Sequence, residues 1–311
     1  MGTLILASRE DSASMNLLSA VMSFDGWGEA KEMVHGQVIE HSSGVAQLLL
    51  IDGLHIWADG IDIRHEGVTN FRVDEVLVLS RHVSASGTPA LTLHAIGVPG
   101  EFPHGKRARS GGITGTAVPP SPRFGGLFRK MREIAIDHKL DDDYDITLEA
   151  THHGPLLERP TLYIEIGSTK EHWEDPRAAR VWAEAISDSL GLSGNCSDSW
   201  RSSGRVMVGL GGGHYAPRHK AVISENDVWL GHILANYAII FEEQGSGLIP
   251  QGPWIHSVTT AVESTRIAFP GGDVFAHLDR KSFKSWQRQA LESLLSDLGV
   301  PVLRGKQISL P

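Results

Sequence analysis

The sequence predicts an α/β fold built around a mixed, mostly parallel sheet. Short apolar and β-branched runs recur along the chain, segments of helical periodicity fall between them, and one run opens directly into glycines. The runs read as strands over residues 3–7, 46–51, 75–79, 91–96, 146–150, 162–166, 206–210 and 273–278. Among the helices, Asp175 offers an N-cap before Pro176 at the first helical position, and Gly191 closes that helix after Leu190. A last helix is predicted over about 282–298: Phe283, Trp286, Ala290, Leu294 and Leu298 form an apolar stripe, and Gly299 stops it. Two stretches, 97–126 and 242–254, carry glycine and proline and read as long loops. Composition does not shift across either, and there is no internal repeat. Residues 1–311 therefore read as a single catalytic unit, in one lobe or two.

With 41% hydrophobic and 21% charged residues, the chain has the composition of a soluble globular protein with ample material for a core. Its one cysteine, Cys196, excludes an internal disulfide and a cysteine-built metal site within one chain. The Ser-Gly-Asn-Cys-Ser-Asp setting reads as a surface loop, and a reducing, cytoplasmic compartment is expected. The N-terminus reads as a first strand and not as a signal peptide. Leu6 stands where a myristoylation motif needs Ser or Thr, and no apolar run reaches membrane-spanning length. The formal charge of −9 argues against a general DNA binder, since phosphate neutralisation supplies most nucleic-acid affinity. An RNA end would be gripped by local patches. Candidates are Lys106, Arg107 and Arg109; Arg123, Arg129, Lys130 and Arg132; and Arg280, Lys281, Lys284 and Arg288. Each reads on its own as a solvated face.

The most informative stretch is Gly211-Gly212-Gly213-His214-Tyr215-Ala216-Pro217-Arg218-His219, directly behind Val206-Met207-Val208-Gly209-Leu210. A buried strand opening into a glycine loop at its carboxyl end is where open α/β sheets place ligands. His214 is the leading candidate in this loop, with Arg218 and His219 behind it. A second cluster, Glu149-Ala150-Thr151-His152-His153-Gly154-Pro155, has the same strand-then-histidine form. Strand alternation puts Thr147, Glu149 and Thr151 on one face and Ile146, Leu148, Ala150 and His152 on the other. His152 and His153 then point oppositely unless Gly154-Pro155 turns the chain. Glu165, amid apolar residues in Thr161-Leu162-Tyr163-Ile164-Glu165-Ile166, either faces solvent or is held for a purpose. His232, in what reads as an apolar helix-like run, suits a core histidine equally well. His82 and His277 end strands and read individually as structural.

Three explanations fall away. The spacing of His214 and His219, with Pro217 between, is no zinc-protease helix. Gly167-Ser168-Thr169 lacks the second glycine of a serine elbow, and no Gly-Lys-Ser/Thr follows a glycine loop.

The segments Leu148-Glu149-Ala150-Thr151-His152-His153-Gly154-Pro155, Ile164-Glu165-Ile166-Gly167-Ser168-Thr169 and Gly211–His219 resemble the archaeal and plant type of D-aminoacyl-tRNA deacylase, the group that includes plant ethanol-tolerance proteins. So do Leu79-Ser80-Arg81-His82, Pro89-Ala90-Leu91-Thr92-Leu93-His94, Phe269-Pro270-Gly271-Gly272 and His277-Leu278-Asp279-Arg280-Lys281. The matches run in order over nearly the whole chain. The resemblance implies a three-layer α/β/α fold similar to phosphorylases, zinc peptidases and peptidyl-tRNA hydrolase. It implies a carboxylic ester hydrolase that frees a D-amino acid from the 3′ end of tRNA, keeps D-residues out of translation and, in plants, removes aldehyde-modified aminoacyl groups. A zinc-dependent cytoplasmic monomer, with no DNA or membrane partner, is implied as well.

On that reading His152, His214 and a carboxylate hold Zn2+, with His153 and His219 as further candidate ligands. Glu149 or Glu165 serves as ligand or general base. Amides of Gly211, Gly212 and Gly213 bind the oxyanion or the terminal adenosine, and Arg218 and Lys281 contact phosphates. A metal-free route, with the ribose hydroxyls assisting water attack, stays open. Two other classes remain: a zinc amidohydrolase or peptidase acting on a small molecule, and a non-catalytic RNA-binding protein.

Overall fold

The computed structural model describes residues 2–101, 111–192, 194, 199–245 and 249–308. Cys196, Lys106, Arg107 and Arg109 lie outside the described residues. The strands are β1 (Thr3–Ser8), β2 (Lys31–Met33), β3 (Gly36–Glu40), β4 (Ala46–Ile51), β5 (Glu75–Val83), β6 (Ala90–His94), β7 (Gly97–Val98), β8 (Thr116–Ala117), β9 (Asp145–Leu148), β10 (Thr161–Ser168), β11 (Arg205–Leu210), β12 (Trp229–Leu234) and β13 (Asp273–Leu278). The helices are α1 (Ser12–Met22), α2 (Ile61–Thr69), α3 (Phe124–Asp137), α4 (Lys170–Trp173), α5 (Pro176–Leu190), α6 (Pro217–Glu225), α7 (Trp254–Ala268), α8 (Ser285–Asp297) and α9 (Gly305–Ile308).

An eight-stranded sheet runs β2-β3-β4-β1-β5-β10-β6-β9. It is parallel through β4-β1-β5-β10, turns antiparallel between β10 and β6, and is parallel again between β6 and β9. A second, all-parallel sheet runs β12-β11-β13. One face of the large sheet presents Leu77, Leu79, Leu91, Leu93, Leu148, Ile164 and Ile166 to α1, α3 and α5. Its other face packs Leu4, Leu6, Val76 and Val78 against Ile61 of α2. The small sheet has α7 and α8 on one side, while Met207, Leu230, Ile233 and Phe275 join the main core with Val222 and Ile223 of α6 on the other. Both sheets thus contribute to one continuous core.

All eight expected strands are present. The helix capped by Asp175 and closed by Gly191 runs Pro176–Leu190, and the last long helix starts three residues later than expected, at Ser285. Two expectations need correction, and one strand pair was unforeseen. The helix-like run around His232 is strand β12, whose residues after Trp229 are buried. A six-residue apolar run carries no period that separates the two states, and its place beside β11 decides. The edge pair β2 and β3 was not expected at all, because Lys31-Glu32-Met33 is too short and too exposed to show alternation. The described part of 97–126 is not all loop: it holds β7 and β8, and α3 begins at Phe124.

Two arginines assigned to a basic surface are structural. Arg123 is buried, and its Nε donates to the buried Glu75 carboxylate at 2.6 Å, which also accepts from Thr3 and Ser121. Arg129 spends Nη1 on the carbonyls of Ile223, Asn226 and Val228.

Candidate active site

Cross-strand register puts a polar patch on the second face of the large sheet. Val78 pairs with Tyr163, Ser80 with Glu165 and His82 with Gly167; Tyr163 in turn pairs with His94, Glu165 with Thr92, and Thr92 with Thr147. Because side chains alternate along each strand, Ser80, His82, Thr92, His94, Glu165 and, one step beyond β9, Glu149 all project from this face. Ser80, His82, Glu149 and Glu165 line a cavity of about 390 Å3 together with His152, His153, His214 and the segment Leu54, His55, Ile56 and Trp57, while Thr92 and His94 are fully buried beneath that face.

Local backbone devices aim the remaining side chains. The Glu149 amide donates to the Leu93 carbonyl at 3.2 Å, so Glu149 still follows β6. The chain then leaves the large sheet: the Ala150 amide donates to His214 O and the Thr151 amide to Ile233 O, both at 2.7 Å. This crossing between the sheets breaks the expected alternation. His152, expected on the face away from Glu149, has Nε2 3.6 Å from Glu149 Oε2, while Thr151 turns to His232. His153 takes a left-handed φ of 45°, and so the rings of His152 and His153 meet with centroids 4.5 Å apart. The turn expected at Gly154-Pro155 begins one residue earlier. In the glycine loop, Gly211 and Gly212 have φ of 92° and 87°, values that favour glycine and bring His214 back over Glu149. Gly167 leaves room for a ring, since a Cβ there would lie 2.6 Å from His82 Cδ2.

Glu149 is the hub. Its Oε2 accepts from His214 Nε2 at 2.8 Å, and its Oε1 lies 3.0 Å from His82 Nδ1. His214 Nδ1 meets the Tyr237 hydroxyl at 2.9 Å. His82 Nδ1 also lies 3.5 Å from Glu165 Oε2, and its Nε2 meets the Tyr215 hydroxyl at 2.9 Å. Glu165 Oε1 accepts from Ser80 Oγ at 2.9 Å.

Burial alone would discharge every one of these groups. Instead the two carboxylates and the imidazole between them hold one another charged. Burial works against charging His82, yet the Glu149 and Glu165 carboxylates, 3.0 and 3.5 Å from its Nδ1, hold it up at about 11. Burial pushes Glu149 and Glu165 up as well, and the histidines prevail: His214 and His82 hold Glu149 well below the usual range, and His82 and His94 hold Glu165 at about 2. His152 goes the other way: burial, then the proximity of His94 and His153, keeps its imidazole neutral. Burial also opposes a charge on His94, but Glu165, 3.7 Å from its Nε2, raises it, so a metal ion at Nε2 would take the place of a proton. Burial raises Tyr237 and the Glu149 charge raises it further, so its hydroxyl keeps its proton beside His214 Nδ1. The buried Glu149 carboxylate can only accept, so His214 donates to it through Nε2.

Three groups of side chains bring ligand atoms within 4.8 Å of one another: His94, His152 and His153; Glu149, His152 and His214; and His82, Glu149 and Glu165. In the first group each Nδ1 meets a backbone carbonyl, of Ala95 at 3.0 Å, Ala150 at 2.8 Å and Gly154 at 2.6 Å respectively. A carbonyl partner requires the proton on Nδ1 and leaves Nε2 as the ligand atom, which is how metal-binding histidines are oriented. His94 Nε2 is buried without a hydrogen-bond partner.

The structure therefore brings His152, His153, His214, Glu149 and Glu165 together. It does not bring His219 to them. His219 is fully buried, with Nδ1 2.8 Å from His277 Nδ1 and Nε2 3.1 Å from the Gly211 carbonyl, and burial draws it down to about 3. It props the glycine turn. The amides of Gly211 and Gly212 are committed to Leu234 O and Ser282 Oγ, so neither is offered to a ligand. Gly213 holds the turn through its carbonyl, which accepts from Ala216. Arg218 and Lys281 stand away from the cavity, Arg218 paired with Asp279 at 2.7 Å and Lys281 exposed. Sequence reasoning set His82 aside and missed His94, His55 and Tyr237. His94 shares strand parity with Thr92 and His82 with Ser80, but only the order β5-β10-β6-β9 makes them neighbours of Glu165.

Fold and site together define an α/β protein with a buried histidine–carboxylate centre. The chain belongs to the D-aminoacyl-tRNA deacylase family, whose model matches residues 69–303. A D-aminoacyl-tRNA deacylase of Arabidopsis thaliana is 39% identical over 313 residues, covering 97% of this chain and 98% of that protein. One of Methanosarcina mazei is 32% identical, covering 98% and 92%. A crystal structure described as that of a conserved protein of unknown function superposes with a TM-score of 0.78 at 27% identity, covering 99% of this chain and 96% of that one. Among the described residues no helix is long and apolar enough to cross a membrane.

Proposed function

We propose that this chain hydrolyses the ester linking a D-amino acid to the 3′ end of tRNA, releasing both. The observation that carries the reading is the Glu149–His214 pair at the cavity wall, in a chain matched by the deacylase family over both of its histidine motifs. Ester hydrolysis needs a water delivered to the carbonyl and a proton moved to the departing ribose oxygen. His214 moves it once substrate takes the place of one of the two partners that its ring nitrogens have here. Glu149 fixes its ring from one side and Tyr237 from the other, the logic of a carboxylate-oriented imidazole. His82, charged between Glu149 and Glu165, keeps both carboxylates ionised at short range and gives the wall a fixed positive centre. Glu149 and Glu165 thereby serve to orient and hold charge, which leaves proton transfer to His214.

His94, His152 and His153 fit a zinc ion: three imidazoles, each with Nδ1 turned to a carbonyl, and an orphaned Nε2 on His94. When bound there, zinc supplies Lewis acidity towards the ester carbonyl. Exhaustive chelation is expected to remove close to one zinc per chain and to lower deacylation by at least about tenfold. Full turnover with no bound metal would exclude the assignment. The reading also has the protein act in the cytoplasm as a monomer on aminoacylated tRNA, without a DNA partner. Arg218 and Lys281 remain its candidates for phosphate contacts. The small-molecule amidohydrolase and the non-catalytic RNA binder are not favoured by the family match.

The test is to mix the protein with matched D- and L-aminoacyl-tRNA and follow ester loss. Hydrolysis confined to the D-form is the expected result. Binding without hydrolysis, or equal hydrolysis of both, would overturn it.

A further inference from the structure

A second cavity, of about 350 Å3, opens beside the N-terminal end of α6 and the end of β13. Its lining includes Arg218, His277, Arg280 and Arg304 and no carboxylate. Three guanidinium groups around one hollow are unusual in a chain of net charge −9. Two of them are held from outside the cavity: Arg218 Nη1 donates to Asp279 at 2.7 Å and Arg280 Nη1 to Glu292 at 2.9 Å. A guanidinium has five N–H donors, so each pair fixes the side chain and leaves donors for the oxygens of an anion. Arg304 is exposed and pairs with no carboxylate among the described residues.

The cavity is tied to the candidate active site by the chain itself. Arg218 follows His214 by four residues, a distance that extended chain cannot stretch beyond about 14 Å. Behind them His219 links His277 to the Gly211 carbonyl, so the turn that aims His214 and the strand end that carries His277 form one unit. An acidic protein repels a polyanion over most of its surface, and a local arginine cavity near the reacting end is where the backbone can be held.

We infer that this cavity is a phosphodiester site that grips the acceptor strand of tRNA a few nucleotides from the ester. The choice of tRNA over a free small anion rests on the deacylase reading. The chemistry of the site, a phosphate oxyanion on arginine forks, does not.

The test is equilibrium binding of uncharged tRNA to the full-length protein over a salt series, which involves no ester hydrolysis. Arg304→Gln is compared with wild type and with Arg64→Gln, which removes an equal charge from an exposed position on α2, outside every basic patch named above. Arg304→Gln is expected to weaken binding about tenfold at low salt and to lower the slope of log K against log salt by about 0.7 for each phosphate no longer neutralised. Arg64→Gln is expected to stay within about twofold of wild type. Equal weakening by the two variants would mean that net charge alone acts, and would overturn the inference. So would unchanged tRNA binding in Arg304→Gln while inorganic phosphate still protects wild type but not the variant from thermal unfolding, which would make this a small-anion site. Failure of the D/L assay with tRNA binding of the expected form would sink the deacylase reading and leave this one standing.

Discussion

Glu149→Gln is expected to lower kcat/KM for D-aminoacyl-tRNA by at least about a thousandfold and to cost stability at the same time. The carboxylate is buried, accepts from His214 at 2.8 Å and lies 3.0 Å from His82, so an amide in its place must turn an NH2 towards one of two imidazoles. His82 then keeps only Glu165 to balance its buried charge. Breaking one partner out of a buried ionic cluster costs about 3–5 kcal/mol, because the charge left behind is uncompensated. Steady-state deacylation and urea unfolding check the two halves separately. Wild-type turnover in this variant would remove Glu149 from the machinery, and unaltered unfolding would show that the His82 charge is balanced elsewhere.

His214→Ala is expected to lower deacylation by at least about a hundredfold with little loss of fold, of the order of 1–2 kcal/mol for the charge-assisted hydrogen bond removed. The contrast with Glu149 follows from exposure. The His214 side chain is 26% exposed and the Glu149 side chain is not exposed at all, and without His214 the carboxylate still has His82. Loss of kcat with unchanged KM, in a protein that melts near the wild-type temperature, is the expected pattern. Near-wild-type turnover would mean that the proton moves through another group.

Much of the site was legible in two sequence motifs. The glycine loop announced His214, since three glycines after a buried strand leave a loop free to approach a ligand, and Gly211 and Gly212 do adopt left-handed φ. Glu165 was visible because a carboxylate is costly inside an apolar strand, and Glu149 because it opens the second histidine motif. His219 was misjudged from the same motif. Five residues past His214 the chain has entered α6, and that helix turns His219 inward to His277 and the Gly211 carbonyl. His82 was judged structural because nothing local distinguishes a histidine at the end of one strand from another. Its importance comes from standing between two carboxylates contributed by β10 and by the chain just after β9.

By itself the sequence determined what depends on short-range periodicity and on the cost of burying polar groups: the α/β class, all eight expected strands, the helix from Asp175 to Gly191, and the two histidine motifs. Only the tertiary structure decided which of those polar residues meet. Strand order and register are long-range choices, and placing β10 between β5 and β6 lines Ser80, Glu165 and Thr92 across one face. The crossing at Ala150 and Thr151, hydrogen-bonded to His214 and Ile233, turns His152 towards Glu149 against strand alternation. Backbone amides must find carbonyls wherever the chain leaves a sheet, and here the ones that they find belong to the second sheet and to the glycine loop.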